Sequence, residues 1–299
     1  MINELYRIVG EDNVSLNEPM FGHTTFRVGG PAQYFVTPMD TEELSQIVAL
    51  CKAEKTPFFM LGHGSNILVS DKGISGVVIG LYKNYSKYSI IGNTVNAQAG
   101  VMLNKLGQDI RDAGLTGFEF ASGIPGTLGG AVMMNAGAYG GEMKNIIDSV
   151  SLMDYDGNLL KKSCEEMDFS YRHSIVEDEN LIVLSATLKL SKGNIRDIND
   201  KMQELATARK TKQPLEYPSA GSTFKRPEGY FAGKLIMDAG LAGYSVGDAQ
   251  VSEKHCGFVI NKGHAKAEDV LKLIDDVKNT VYDKFQVELE PEVRIVGDV

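Results

Sequence analysis

Residues 121–140, ASGIPGTLGGAVMMNAGAYG, constrain the fold more than any other stretch of this chain. Glycines stand at 123, 126, 129, 130, 137 and 140, and no side chain in the stretch is charged. Such a segment offers its neighbours mostly backbone. Glycine lets another backbone approach closely, and amides freed from side-chain crowding can converge on an anion. The spacing is neither of the common phosphate-binding ones: no Gly-Lys-Ser/Thr follows the glycines, and GxGxxG is absent. Gly126, Gly129 and Gly130 precede AVMMNAG, which can begin a helix, and amides at a helix start suit a diphosphate. Close backbone packing is the competing explanation.

Two more glycine loops flank this one in the sequence. LGHGSNILVS, residues 61–70, follows an apolar run and offers Gly62, Gly64, Ser65 and Asn66. Alone it could be a tight turn between strands. PSAGSTFKRPEGYFAGKLIMDAG, residues 218–240, brings Ser222, Lys225 and Arg226 within five residues. Ser222 follows a glycine and lies between two prolines, so it is placed by its loop. It is not a nucleophile elbow, because GxSxG is absent. Three separate loops of this kind are hard to explain as structural glycines only.

Composition narrows the classes. Hydrophobic residues are 43% of the 299, which is globular rather than disordered. The formal charge is 30 − 39 = −9, and no basic stripe is present, so nucleic acid is not the expected partner. Small phosphorylated ligands need only local positive groups and stay open. Cys51, Cys164 and Cys256 are odd in number and far apart, as expected for reduced thiols rather than a disulfide framework. The five histidines form no cluster and no HExxH, so no metal site is expected. The absence of a long apolar run or a signal-peptide pattern predicts a cytoplasmic protein with no membrane insertion. Nothing in the sequence demands more than a monomer.

The patterning predicts an α+β chain in three parts. Residues 1–80 read as strand, helix, strand after a short leading helix. Asp40 caps the helix, Glu43 lies three residues on, and Leu44, Ile47, Val48 and Cys51 share a face. TPFFMLG reads as a buried strand. Residues 81–210 are strand-rich, with hairpins turning at Gly92-Asn93 and Asp156-Gly157, a helix carrying Leu103, Leu106 and Ile110, and a polar helical connector from 193 to 210. Residues 211–299 carry a short helix at 234–239 and a long one at 266–285, with Val270, Leu271, Ile274, Val277 and Val281 on one side. FQVELEPEVRIVG closes the chain as strand, proline break, strand.

Taken in order, TTFRVGGPA, LGHGSNILV, ASGIPGTLGGAVMMNAGAYG, YRHS, YPSAGSTFKRPEG and LEPEVRIVG resemble the signature blocks of the UDP-N-acetylenolpyruvoylglucosamine reductase family, over nearly the whole chain. The short connector at 190–214 resembles the branch that lacks an extra tyrosine-bearing segment. The resemblance implies a two-part FAD-binding domain of the vanillyl-alcohol oxidase type, residues 1–80 and 81–210. It also implies a C-terminal α/β substrate domain, residues 211–299. The implied activity is reduction of the enolpyruvyl ether of UDP-N-acetylglucosamine to UDP-N-acetylmuramate, with NADPH as reductant, for peptidoglycan precursor synthesis. A different FAD oxidoreductase of the same fold is the alternative, and AGSTFKRP and EPEVRIVG count against it.

The resemblance also implies roles residue by residue. Arg172, Ser222 and Glu292 would be catalytic, with Glu290 the rival of Glu292, since residues two apart share one face of a strand. FAD, held without a covalent link, would contact Arg27, Gly62, His63, Gly64, Ser65 and Asn66. Further FAD contacts would come from Ser122, Gly123, Ile124, Pro125, Thr127, Gly129, Gly130, Ala131 and Val132. Lys212, Lys225, Lys234 and Tyr171 would contact the substrate nucleotide.

Overall fold

Alternating apolar residues at 147–154 and 181–189 form the centre of the largest sheet in the computed structural model, which describes residues 1–298. The chain forms two compact units. The first comprises residues 1–16, 34–63 and 76–208; the second comprises 17–33, 64–75 and 209–299. Each has its own apolar core.

In the first unit the antiparallel sheet runs Leu159–Ser163, Ile147–Asp154, Leu181–Lys189, Thr94–Gln98, Tyr88–Ile91. Both expected hairpins are present. A register shift between Ser151 and Leu152 marks a bulge in the central pair. A second sheet runs Val14–Pro19, Pro31–Val36, Ile74–Gly80, Phe58–Leu61, with Phe58–Leu61 parallel to 77–80. The helix Thr41–Ala53 buries Leu44, Ile47, Val48 and Cys51. Its cap forms as expected: the Glu43 amide donates to the Asp40 side chain at 2.9 Å, and the Glu43 carboxylate accepts from Met39 N at 2.7 Å. Phe58–Leu61 departs from expectation, since only Leu61 is buried. The connector is the 18-residue helix Ile195–Lys212, which buries only Ile198.

In the second unit the helix Ala267–Phe285 buries Val270, Leu273, Ile274, Val277 and Val281. Each such side chain contributes about 1.5–3 kcal/mol when fully buried. Leu273 lies on the buried face, and Leu271 packs only at its edge. The helix packs beside Ala232–Asp238 and a three-stranded antiparallel sheet, Ser245–Val246, Ala249–Val251, Val259–Asn261. The chain end differs from the expected strand, break, strand. Residues 286–290 form no strand, and Arg294–Val296 pairs in parallel with Ile67–Val69. Pro291 cannot donate to a ladder, and it makes an isolated bridge with Phe224 instead.

Candidate active site

In the first unit two of the glycine segments meet. A Cβ on Gly62 would lie 2.4 Å from Thr127 Oγ1, and one on Gly129 would lie 2.8 Å from Ala99 Cβ. Both glycines are needed for this close approach. The helix runs Leu128–Met133 and so starts three residues before Ala131, where the sequence places it; Gly129 and Gly130 lie inside its first turn. Gly123, Pro125 and Gly130 are exposed, whereas Ala131 and Val132 point into the core. Thr127 is buried, Ile124 is half-buried, and Ser122 Oγ donates to Glu119 O at 2.7 Å. The amides of Gly123 and Gly130 donate to no acceptor among the described residues. His63 lies edge-on to Tyr82 at 6.1 Å, and burial lowers its pKa.

Arg172 is also in the first unit. It sits at the tip of a two-residue turn closed by Ser170 and His173, whose amides and carbonyls bond reciprocally at 3.2 and 3.3 Å. Its φ is +57°, a region that favours glycine. The guanidinium carbon lies 5.1 Å from the centroid of the exposed Tyr171 ring. An arginine held in a strained turn of this kind suggests a functional demand.

The second unit brings Ser222 and Glu292 onto neighbouring backbone. Glu292 N donates to Thr223 O at 2.8 Å, and Lys225 N donates to Glu290 O at 2.8 Å. Thr223 is buried and ties a third segment into the same ladder: its amide donates to Gly257 O at 2.8 Å, and its hydroxyl accepts from Val259 N at 3.0 Å. Asn66 joins from the first glycine loop. Its side chain donates to Glu292 O at 3.1 Å, and its carbonyl accepts from Arg294 N at 3.0 Å. Gly64 has φ +63°, and a Cβ there would lie 2.0 Å from His23 O. The amides of Gly64 and Ser65 have no acceptor among the described residues. Arg27 is exposed with φ +54°.

Glu290 and Glu292 differ in their surroundings. Glu290 is exposed and pairs with Lys225 Nζ at 2.6 Å, whereas Glu292 is half-buried. Lys225 therefore already faces a carboxylate. Lys234 pairs with Asp238 at 2.6 Å along its own helix, and Lys212 is exposed at the end of Ile195–Lys212.

Two family models cover most of the chain: an FAD binding domain matches residues 32–163, and the C-terminal domain of UDP-N-acetylenolpyruvoylglucosamine reductase matches 213–296. A protein named UDP-N-acetylenolpyruvoylglucosamine reductase from Lachnoclostridium phytofermentans is 54% identical, over 100% of this chain and 97% of its own. One of the same name from Clostridioides difficile is 53% identical, over 98% and 97%. The chain belongs to the UDP-N-acetylenolpyruvoylglucosamine reductase family. The crystal structure of the Thermus caldophilus reductase is similar at 38% identity, with a TM-score of 0.81 over 94% of this chain and 97% of that one. Phl p 4, a grass pollen allergen with glucose dehydrogenase activity, matches 65% of this chain and 44% of its own at 17% identity and a TM-score of 0.51. That likeness is one of fold, and it fits the vanillyl-alcohol oxidase type.

This family member is an FAD-dependent oxidoreductase, and its loops fit that cofactor. They present exposed, unpaired amides and close glycine packing without a carboxylate in 121–132. Among the described residues no group of three His, Cys, Asp or Glu could hold a metal, and no helix is long and apolar enough to cross a membrane.

Three residues escaped the sequence reading: Thr223, Asn135 and Asn261. All are polar and at most 2% exposed. Asn261 donates to Phe26 O at 3.2 Å and accepts from Gly263 N and Ala265 N at 3.0 and 3.1 Å, beside the strained Arg27. The only available signal was residue type, and asparagine is common in ordinary turns.

Proposed function

We propose that the protein reduces the enolpyruvyl ether of UDP-N-acetylglucosamine to UDP-N-acetylmuramate with NADPH as reductant, as a cytoplasmic monomer serving peptidoglycan precursor synthesis. The observation that carries this reading is the ladder joining residues 223–225, next to Ser222, to 290–292, inside the segment matched by the reductase C-terminal domain. FAD, when bound, would supply the hydride for the terminal vinyl carbon of the substrate, with NADPH as its source.

The protein's part is binding, charge stabilisation and proton delivery. Hydride addition leaves negative charge on the adjacent carbon and the carboxylate. Arg172 pairs with that carboxylate, since a guanidinium keeps its charge and offers parallel donors. It stabilises the charge as it develops. Ser222 delivers the proton to the carbon. A hydroxyl is a weak acid, but the carbanion is a strong enough base if the donor is close and oriented. Glu292 polarises the substrate from the neighbouring segment. Arg27, Gly62, His63, Gly64, Ser65, Asn66, Ser122, Gly123, Ile124, Pro125, Thr127 and residues 129–132 hold FAD. Residues 131 and 132 do so through their backbone only. Lys212, Lys225, Lys234 and Tyr171 contact the substrate nucleotide, and Lys225 must leave Glu290 to do so. Residues 1–80 and 81–210 act as the two parts of the FAD domain, and 211–299 as the substrate domain.

The test is the visible spectrum of the purified protein under anaerobic conditions. NADPH should bleach a flavin spectrum, and the enolpyruvyl nucleotide should restore it. A bleached flavin that this substrate fails to reoxidise would overturn the reading.

A further inference from the structure

Asn135 lies in the glycine-rich segment, just beyond the Leu128–Met133 helix, and is 0% exposed. Its φ of +41° is unusual for a residue with a side chain, although asparagine tolerates that region better than most. Every polar atom of its amide group is engaged. Nδ2 donates to Glu142 Oε2 at 2.8 Å and to Ser170 O at 3.0 Å, and Oδ1 accepts from Lys144 N at 3.0 Å. Ser170 is the first residue of the turn that carries Arg172. Just beyond that turn, Ser174 Oγ donates to Met133 O at 2.6 Å. The two legs of the Arg172 turn are thus tied to residues 133 and 135 of one short segment. That segment continues directly from the loop of Gly123 and Gly130.

We infer that Asn135 is a positioning residue for Arg172: its side chain, oriented by Glu142, sets the guanidinium relative to the 122–130 loop. The inference rests on the role proposed above for Arg172. A strained turn left to itself relaxes to other conformers. Here the arginine occupies a position that favours glycine, so the conformation has to be imposed by neighbouring bonds. The bond from Asn135 to the Ser170 carbonyl does this at the base of the turn, from a side chain that is itself fully buried and held on its other side by Glu142. A small misplacement of such a group is felt mainly in the transition state.

Two variants separate positioning from folding. Asn135→Gly keeps the backbone conformation and deletes the side chain. Asn135→Asp keeps size and shape but loses the donor to Ser170 and sets a carboxylate against Glu142. In both, FAD content and the rate of flavin reduction by NADPH should stay within about two-fold of the parent. Reoxidation by the enolpyruvyl nucleotide should fall on the order of 10–100-fold. In an Arg172→Ala background Asn135→Gly should add nothing further, because the residue acts through Arg172. Losses that add in the double variant would overturn the inference, as would unchanged reoxidation in the single variants. Loss of FAD or of flavin reduction in both variants would also overturn it, by making Asn135 a structural part of the loop. If Arg172→Ala itself reoxidises normally, the role given to Arg172 fails instead.

Discussion

The amide of Glu292 donates to the carbonyl of Thr223 at 2.8 Å, so the glutamate's segment is registered one residue from Ser222. The proposed proton donor and the proposed carboxylate are therefore fixed by one ladder. If Ser222 only delivers a proton, Ser222→Ala should leave flavin reduction by NADPH unchanged. The substrate half-reaction should slow by roughly 10²–10⁴-fold, the span typical of general acid catalysis. Stopped-flow measurement of the two half-reactions checks this, and a defect confined to flavin reduction would remove Ser222 from the role.

The rivalry between the two glutamates is settled by comparing Glu292→Gln with Glu290→Gln. Glu290 is exposed and paired with Lys225. Exposed pairs contribute about 0–1 kcal/mol, so Glu290→Gln should change the melting temperature little and substrate reduction by less than about ten-fold. Glu292→Gln should slow reduction by at least about 100-fold. A larger defect in the Glu290 variant would reverse the assignment.

Arg172 combines strain with a proposed function, which makes stability and activity separable. Left-handed φ costs an L-residue about 1–2 kcal/mol, partly offset by the extra unfolded-state entropy of glycine. Arg172→Gly should therefore melt at or above the parent temperature while substrate reduction falls at least about 100-fold. A variant that melts lower and still reduces substrate would contradict both halves.

Gly64 and Gly221 both have positive φ, but only Gly64 is crowded. A Cβ at Gly64 meets the His23 carbonyl at 2.0 Å, whereas nothing lies within 4 Å of one at Gly221. Gly221→Ala should cost about 1–2 kcal/mol from strain, and Gly64→Ala more, because backbone must move. Denaturant midpoints measure the difference, and equal costs would rule out the packing argument.

Burial lowers the pKa of His255 below its ordinary 6.5. The unfolded chain then takes up this proton first as the pH falls. Stability is fully present above about pH 6.5 and declines below it, until the folded pKa is passed. Thermal melts from pH 8 to 5.5 should show this loss, and His255→Gln should reduce its slope. An unchanged slope would mean that other groups govern acid sensitivity.

The sequence made the regular elements legible where local period was strong, as in the Thr41–Ala53 and Ala267–Phe285 helices and the two hairpins. It misled at 286–290, where alternating residues read as a strand although they form none, and the bond from Lys225 N reaches only the last of them, Glu290. It could not reveal that Arg294–Val296 pairs with Ile67–Val69, since three-residue strands carry almost no pattern. The glycine loops were legible as segments, and Ser222, Arg172 and Glu292 were singled out through ordered motifs, their roles remaining proposals. Their supports were not: Asn135, Asn261 and Thr223 matter because distant backbone groups bury and bond them, and nothing local encodes that. The positive φ of Arg27 and Arg172 was equally hidden, because arginine has no preference for it.

Asn66 and Glu292 are 226 residues apart, yet hydrogen-bonded. At a synthesis rate of about 5–20 residues per second, the Asn66 loop emerges roughly 10–45 s before the strand that receives it. The second unit cannot close its Ile67–Val69 edge during that interval, while residues 76–208 of the first unit are already available to fold. That exposed edge is a pairing hazard for a nascent chain. The Ile67–Val69 edge is thus covered only after the strand at 294–296 has left the ribosome.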